Sequence, residues 1–255
     1  MEKKRCTAVI LAAGSGSRMK STTAKQFLPL NGKPLIWYSL HAVEQSSVID
    51  DCILVASDVE YIRTEIVEKY QFQKVSAIVP GGGERWESVA NAMKFLETEE
   101  KEINSPHGYV FIHDGARPFL TEDILQNTLN AVQKYHACVA AVPSKDTIKL
   151  SDENGFVKST PDRRTVWNIQ TPQVFDRNLI VSAYHDLTVE AEKVGKENIK
   201  VTDDASVVEL YSDCHVKLAE GNYTNIKVTT PEDLNIAKIF IENFFDKNYK
   251  KGVDI

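Results

Sequence analysis

Short apolar runs that alternate with helical patterns constrain this chain more than any other feature of its sequence. Val9-Ile10-Leu11, Cys52 to Val55, Val75 to Val79, Tyr109 to Ile112 and Cys138 to Val142 are aliphatic, rich in β-branched residues and bounded by polar segments. Such continuous runs predict strands buried on both faces. Between them, Pro34 to Gln45, Val59 to Tyr70, Glu84 to Leu96 and Glu122 to Tyr135 read as helices. In the third, Val89, Met93 and Leu96 fall on one face at helical spacing. Regular strand-helix alternation predicts a doubly wound α/β domain: a single, mainly parallel sheet covered by helices. The length of 255 residues suits one such domain over 1–255 with a substantial core.

The pattern changes after Pro143. Lys145 to Trp167 has no helical period, and Asp152-Glu153-Asn154-Gly155 is a strong turn signal. Asn-Gly suits the positive φ values of a type I′ turn, so the segment is expected to form a β-hairpin. It is too polar for a core of its own, so residues 144–167 read as an arm protruding from the sheet, used as a dimer contact. Helical pattern returns from Asn178 to Glu192 and from Asp203 to Leu210, followed by a strand near His215 to Ala219. The last helix is expected to start with Thr230 as N-cap and Pro231 at the first helical position, with Leu234, Ala237, Ile241 and Phe244 facing the core.

Composition narrows the function classes. The formal charge of −6 argues against a protein that coats nucleic acid, which needs a basic surface. No run of about 18 apolar residues exists, so no membrane span is expected, and the apolar run behind the charged Met1 to Arg5 is too short for a signal peptide. Cys6, Cys52, Cys138 and Cys214 are scattered with no C-x-x-C pair, which reads as reduced thiols in a cytoplasmic protein.

The first strand runs into Ala12-Ala13-Gly14-Ser15-Gly16-Ser17-Arg18-Met19. A loop of small residues at the carboxyl end of a central strand is where open α/β sheets bind ligands, and its amides can approach phosphate oxygens unobstructed. Gly14 and Gly16 alone are a weak signal. The dinucleotide fingerprint would need glycine at Met19, and no Gly-Lys-Ser/Thr follows for a P-loop. Arg18 and Lys25 make the loop distinctive, because two cations beside a nest of amides suit a triphosphate. The bland alternative is a pair of solvated loop charges.

These residues, with Lys25-Gln26-Phe27, resemble the opening of the 2-C-methyl-D-erythritol 4-phosphate cytidylyltransferases. The resemblance continues in order through Gly81-Gly82-Gly83-Glu84-Arg85 with Ser88, His113-Asp114-Gly115-Ala116-Arg117-Pro118 and Asp146-Thr147-Ile148-Lys149. It extends through Trp167 with Gln170-Thr171-Pro172-Gln173, then Thr202-Asp203-Asp204-Ala205-Ser206, Gly221, Asn225-Ile226-Lys227 and Thr230-Pro231-Glu232-Asp233-Leu234. Two positions depart from the family's habit: Ala24 stands where proline is usual and Gly115 where alanine is. Ribitol 5-phosphate enzymes share most blocks, but Val166-Trp167 before Gln170-Thr171-Pro172-Gln173 looks like the methylerythritol branch.

The resemblance implies a Rossmann-like nucleotidyltransferase that joins CTP to a small polyol phosphate. The acceptor's phosphate would attack the α-phosphorus of CTP and release pyrophosphate. By the same resemblance, Arg18 and Lys25 neutralise the α-phosphate and the leaving group, while Arg163 and Lys227 hold the acceptor phosphate. Arg163 is chosen over Arg164 because the family pattern is Arg-x-x-aliphatic-Trp. Ala12, Ala13, Gly14, Gly16, Gly82, Gly83 and Ser88 would bind the nucleotide, Asp114 the ribose or Mg²⁺, and Arg117 and Thr147 the acceptor. A homodimer through the arm is implied as well.

Several neighbours read as structural. Trp37 and Trp86 open amphipathic helices and are expected to pack, and His113, ending an apolar strand, to be a satisfied core histidine. One of Asp203 and Asp204 is expected to cap the next helix. Two other classes fit less well: a nucleotide-sugar glycosyltransferase, which would need an Asp-x-Asp motif that His113-Asp114-Gly115-Ala116 lacks, and a nucleotide-sensing regulator, disfavoured by the presence of Arg18, Lys25 and Lys227 together.

Overall fold

The computed structural model describes residues 4–14, 24–103 and 108–248. Arg18 and Gly16, both expected in the phosphate loop, lie outside the described residues.

The core of the fold is a seven-stranded sheet. Its strands are β1 (Arg5–Ala12), β2 (Asp51–Ala56), β3 (Val75–Pro80), β4 (Gly108–Asp114), β5 (Ala137–Pro143), β6 (Trp167–Asp176) and β7 (Lys217–Glu220), in the spatial order β7-β5-β6-β4-β1-β2-β3. β1 pairs in parallel with β2 and β4, β2 with β3, and β5 with β7. Only β6 runs the other way, antiparallel to both β4 and β5. The expected mainly parallel sheet is therefore present, with one reversed strand at its middle that the sequence pattern does not reveal. Gln170, Thr171 and Gln173 interrupt the apolar pattern of β6, and Pro172, which has no N–H to donate, lies where the register shifts between Ile169 and Gln173.

Strict alternation along the strands builds two cores. Ile10, Leu54 and Phe111 face one side, against Ile36, Leu40 and Val43 of α1 (Leu35–Gln45) and Ile124, Leu125 and Val132 of α4 (Glu122–Tyr135). Val9, Ile53, Val110 and Ile112 face the other, against α3 (Arg85–Ile103), α5 (Arg177–Val194) and α6 (Asp204–Tyr211). Strands whose neighbours in sequence alternate between two layers must be covered on both faces, which is the doubly wound arrangement. The segment Val59 to Tyr70 departs from the expected α-helix: after one turn, Val59–Tyr61, it continues as a π-helix over Ile62–Glu68.

The last helix, α7 (Pro231–Asn248), begins as expected: Thr230 Oγ1 accepts from the Asp233 amide, and the Asp233 carboxylate accepts from the amides of Thr229 and Thr230. Ala237 and Ile241 are buried with Phe119 and Leu35 in a third, smaller core, and Leu234 packs against it. Trp37 stacks on His41 and Trp86 is buried in the core, so both tryptophans pack as expected.

The arm is a two-stranded ribbon separate from the main sheet, Leu150–Ser151 against Val157–Ser159. Its turn is not the expected type I′. That form needs positive φ at both central residues, whereas here Gly155 alone is positive, at 84°. The Asp152 carboxylate accepts from the amides of Asn154 and Phe156, which supplies the closure that the mirror-image turn would have given. All four cysteines are free thiols, three of them buried. Among the described residues, no helix is long and apolar enough to cross a membrane.

Candidate active site

Six of the seven strands present their carboxyl ends on one edge of the sheet, and the described site residues of the loop after β1, the turn after β3 and the end of β4 lie there. β1 lies at the switch point, between β2 on one side and β4 on the other, where doubly wound sheets open a crevice. Ala12 ends β1, and Ala13 and Gly14 follow it into the loop. Gln26 fixes the loop's return: buried at 2% exposure, it donates from Nε2 to the Ala12 carbonyl at 2.6 Å. The short 3₁₀ turn Lys25–Phe27 thereby holds half-buried Lys25 next to the end of β1.

Gly81, Gly82 and Gly83 follow β3. The Gly81 amide donates to Ala56 at the end of β2, and a Cβ on Gly81 would collide with the Cβ of Ala13. The two glycine-bearing loops are therefore in contact. Ser88 Oγ accepts from the Gly82 amide at 3.0 Å and donates to the Glu84 carbonyl at 3.3 Å. Its hydroxyl thus shapes the turn, with one lone pair left for a ligand.

Asp114 ends β4 and is buried at 7% exposure. Lys227 Nζ lies 2.9 Å from its Oδ2, Arg117 Nε 3.4 Å from the same oxygen, and Arg85 Nε 3.7 Å from Oδ1. Burial alone would push the carboxyl up, but Arg85, Lys227 and Arg117 together hold it well below the usual carboxylate range. Lys227 reaches it because the segment after β7 is stitched down. Arg117 donates to the Asn225 carbonyl at 2.9 Å, the Val228 amide to the Ala116 carbonyl at 2.9 Å, and Asn225 Nδ2 to the Thr171 carbonyl at 2.8 Å. Arg117 spends its donors on Asp114 and this backbone, and its side chain is 12% exposed. The Lys227 side chain, at 33% exposure, is the more open of the two.

His113 is a structural residue. It is buried, its Nε2 is 3.1 Å from the Arg117 carbonyl and its Nδ1 3.0 Å from Thr171 Oγ1. A carbonyl only accepts, so the proton sits on Nε2 and Thr171 donates to Nδ1. Burial pulls this imidazole down to about 4.

The arm residues stand apart from this cluster. Thr147 is exposed, and Arg163 Nη1 donates to the Lys145 carbonyl at 3.3 Å near the arm's root. Arg164 is tied to Asp162 through its Nε and Nη2, which leaves Arg163 as the arginine without a carboxylate contact in this pair of neighbours. Tyr223 braces the root, donating to the Pro143 carbonyl at 2.8 Å beneath the Lys145 ammonium.

Asp203 and Asp204 divide their work. Asp203 caps α6 in a capping box with Ser206, as expected of one member of the pair. Asp204 is fully buried and takes both Nη1 and Nη2 of Arg85, at 2.8 and 2.6 Å. Sequence reasoning missed Arg85 as a site residue. It was visible only as the end of the Gly81-Gly82-Gly83-Glu84-Arg85 block, because its partners lie far away in the chain.

The sequence model of the 2-C-methyl-D-erythritol 4-phosphate cytidylyltransferase family matches residues 6–243. The protein of that name from Lachnospira eligens is 46% identical over 238 residues, covering 92% of this chain and 99% of its own. The Clostridium botulinum (strain 657) protein of that name is 43% identical over 235 residues, covering 92% of this chain and 96% of its own. Among solved structures, the 4-diphosphocytidyl-2C-methyl-D-erythritol synthase of Anaerococcus prevotii superposes with a TM-score of 0.75 at 36% identity, covering 94% of this chain and 99% of that one. With the start of the loop after β1, the glycine turn after β3 and the cation-ringed Asp114 at one sheet edge, the chain belongs to the 2-C-methyl-D-erythritol 4-phosphate cytidylyltransferase family.

Proposed function

We propose that this protein is a cytidylyltransferase that joins CTP and 2-C-methyl-D-erythritol 4-phosphate, giving 4-diphosphocytidyl-2-C-methyl-D-erythritol and pyrophosphate for isoprenoid precursor synthesis. The observation that carries this reading is the family match over nearly the whole chain, joined to the contacts of Gly81 with Ala13 and of Lys227 with Asp114 on one edge of the sheet. It favours the methylerythritol acceptor over ribitol 5-phosphate and leaves the glycosyltransferase reading without support.

The chemistry asks little of acid or base. A phosphate monoester with a second pKa near 6 is mostly dianionic at neutral pH, so the acceptor needs no general base. One of its oxygens bonds to the α-phosphorus of CTP as the bond to the bridging oxygen breaks and pyrophosphate leaves. Two anions must meet in line, so cations and positioning supply most of the rate. In this reading Arg18 and Lys25 neutralise the α-phosphate and leaving group, and Lys227 and Arg163 aim the acceptor. Gly82, Gly83 and Ser88 read cytosine with Ala12 and Ala13, while Gly14 and Gly16 give amides to the phosphates. Thr147 and Arg117 complete the acceptor side, Arg117 chiefly through its grip on Asp114 and the Asn225 backbone.

Magnesium belongs to the same reading. Among the described residues no group of three or more His, Cys, Asp or Glu converges on a point. A magnesium ion carried mainly by substrate phosphates needs few protein carboxylates, and Asp114, beside Lys227, is the one that would face it. When bound, it would offset charge on the phosphates. The arm is read as a homodimer contact, supported by Leu150, Phe156 and Val157, which are 51%, 72% and 62% exposed on a ribbon with no core of its own. A cytoplasmic setting fits the four free thiols.

The test is pyrophosphate release with CTP and, in separate reactions, 2-C-methyl-D-erythritol 4-phosphate or ribitol 5-phosphate, then with ATP and GTP in place of CTP. Turnover only with CTP and the methylerythritol acceptor is expected. Equal turnover with ribitol 5-phosphate would replace the acceptor, and comparable turnover with a purine nucleotide would sink the glycine-turn base pocket.

A further inference from the structure

We infer that Arg85 is a positioning residue for the transfer reaction, setting the orientation of the Asp114 carboxylate that Lys227 uses. Arg85 is not called on by the mechanism above, yet all three of its guanidinium nitrogens face carboxylates. Its Nη1 and Nη2 close a two-bonded fork on Asp204. Its Nε faces Asp114 Oδ1 at 3.7 Å, while Oδ2 is left to Lys227 and Arg117. The two oxygens of one carboxylate are thus divided between two directions. That division fixes the plane of the carboxylate and hence where the Lys227 ammonium sits.

Asp204 is what makes the arrangement rigid. It is fully buried, at the first turn of α6, and its Oδ1 also accepts from Tyr184 on α5 at 2.7 Å. Gln173 of β6 locks the same turn, accepting from the Ala205 amide and donating to Asp203. Side chains from α3, α5, α6 and β6 therefore converge to aim one guanidinium. Asp204 also offsets the charge of Arg85, so Asp114 gains a fixed donor direction without a third uncompensated cation beside Lys227 and Arg117. A buried ion pair is weak evidence for stability, because desolvation consumes much of its attraction and apolar residues often serve as well. Placing one against the site carboxylate is better accounted for by aim than by stability. The placement also couples the turn that carries Gly82 to Asp114, since Arg85 opens the helix that follows that turn.

This inference rests on the assignment of Asp114 and Lys227 to the site, and the experiment separates the two. Arg85→Gln is combined with Asp204→Asn, so that two amides replace the ion pair and no charge is stranded. The pair is introduced into the full-length protein in the wild-type and the Asp114→Asn backgrounds. Turnover and both KM values are measured with CTP and 2-C-methyl-D-erythritol 4-phosphate, with single-turnover rates at excess enzyme for slow variants. In the wild-type background turnover is expected to fall on the order of 10²-fold, the scale of a small misplacement of reacting groups, with both KM values little changed. In the Asp114→Asn background the same pair should cost almost nothing further. An equal factor in both backgrounds would mean that Arg85 acts independently of Asp114, and unchanged turnover would mean that it does not aim anything; either overturns the inference. Should the pair fail to fold, Arg85→Lys keeps the charge beside Asp204 but cannot span both carboxylates, and a folded Arg85→Lys protein with wild-type turnover overturns it equally. Wild-type activity of Asp114→Asn alone would instead remove the site assignment.

Discussion

Gly81 and Ala13 touch: a Cβ on Gly81 would overlap the Ala13 Cβ and stand 3.3 Å from Ser88 Oγ. The contact joins the loop after β1 to the turn after β3, which are separated by β2 in the sheet. A substitution there acts on the relation between two loops and leaves the strands below intact.

Gly81→Ala should therefore weaken CTP more than the acceptor. Overpacking of this kind costs about 1–3 kcal/mol, which corresponds to roughly a 5- to 150-fold loss in kcat/KM for CTP. Steady-state kinetics with each substrate varied in turn would check it. An unchanged KM for CTP in a folded variant would mean that the two loops do not form the base pocket.

Lys25→Ala should lower turnover far more than it raises either KM. Lys25 lies on a turn anchored to the end of β1 by Gln26, where charge develops on the α-phosphate in the proposed reaction. Contacts made mainly in the transition state are typically worth on the order of 10²-fold in rate. Near-full turnover at saturating substrates would reduce the residue to a binding role.

How much of this was readable without coordinates depended on distance along the chain. Helix α4 begins and ends where its pattern says, at Glu122 and Tyr135, because Thr121 caps it and His136 closes it with φ 65°. The buried strands were legible for the same local reason. β6 was not, since its polar residues Gln170 and Gln173 are there to serve distant partners: Gln170 donates to the Asn222 carbonyl and Gln173 to Asp203. The Arg85–Asp204 pair is of the same kind. Nothing local to Thr202-Asp203-Asp204 distinguishes the cap from the buried ion-pair partner, because that choice is made by Arg85, a residue 119 positions earlier in the chain. The family's motif blocks carried the site residues, and only the structure could say which of them touch.

His113 should give the fold a pH dependence. Its imidazole is held neutral, lowered to about 4, chiefly by burial. The unfolded chain would bind that proton with a pKa near 6.5. Between these values the unfolded state binds more protons, so stability rises with pH. The contribution is complete above pH 6.5 and is lost as pH falls toward about 4, for a total of about 3 kcal/mol. Urea unfolding midpoints at pH 7 and pH 4.5 would be compared for wild type and His113→Gln. The wild type should lose more stability over that interval, and parallel losses would show that another group carries the dependence.

The arm makes the strongest demand on assembly. Its strands pair only with each other, and Leu150, Phe156 and Val157 are exposed along it. Arg163 sits near its root, bonded to the Lys145 carbonyl and, among the described residues, to no carboxylate, while the Lys25 turn sits at the end of β1. An arm that leaves its own sheet while carrying residues proposed to bind the acceptor makes sense if it completes a partner's site across a two-fold axis. In that arrangement each site takes Lys25 from one chain and Arg163 from the other. Inactive Lys25→Ala and inactive Arg163→Ala chains, mixed in equal amounts and allowed to exchange, should form mixed dimers as about half of the total. Each mixed dimer then holds one doubly defective site and one intact site, so roughly a quarter of all sites should regain wild-type turnover. Sedimentation of the mixture establishes that exchange has occurred. If the dimers mix and no activity returns, both residues belong to one chain's site, and the arm serves assembly alone.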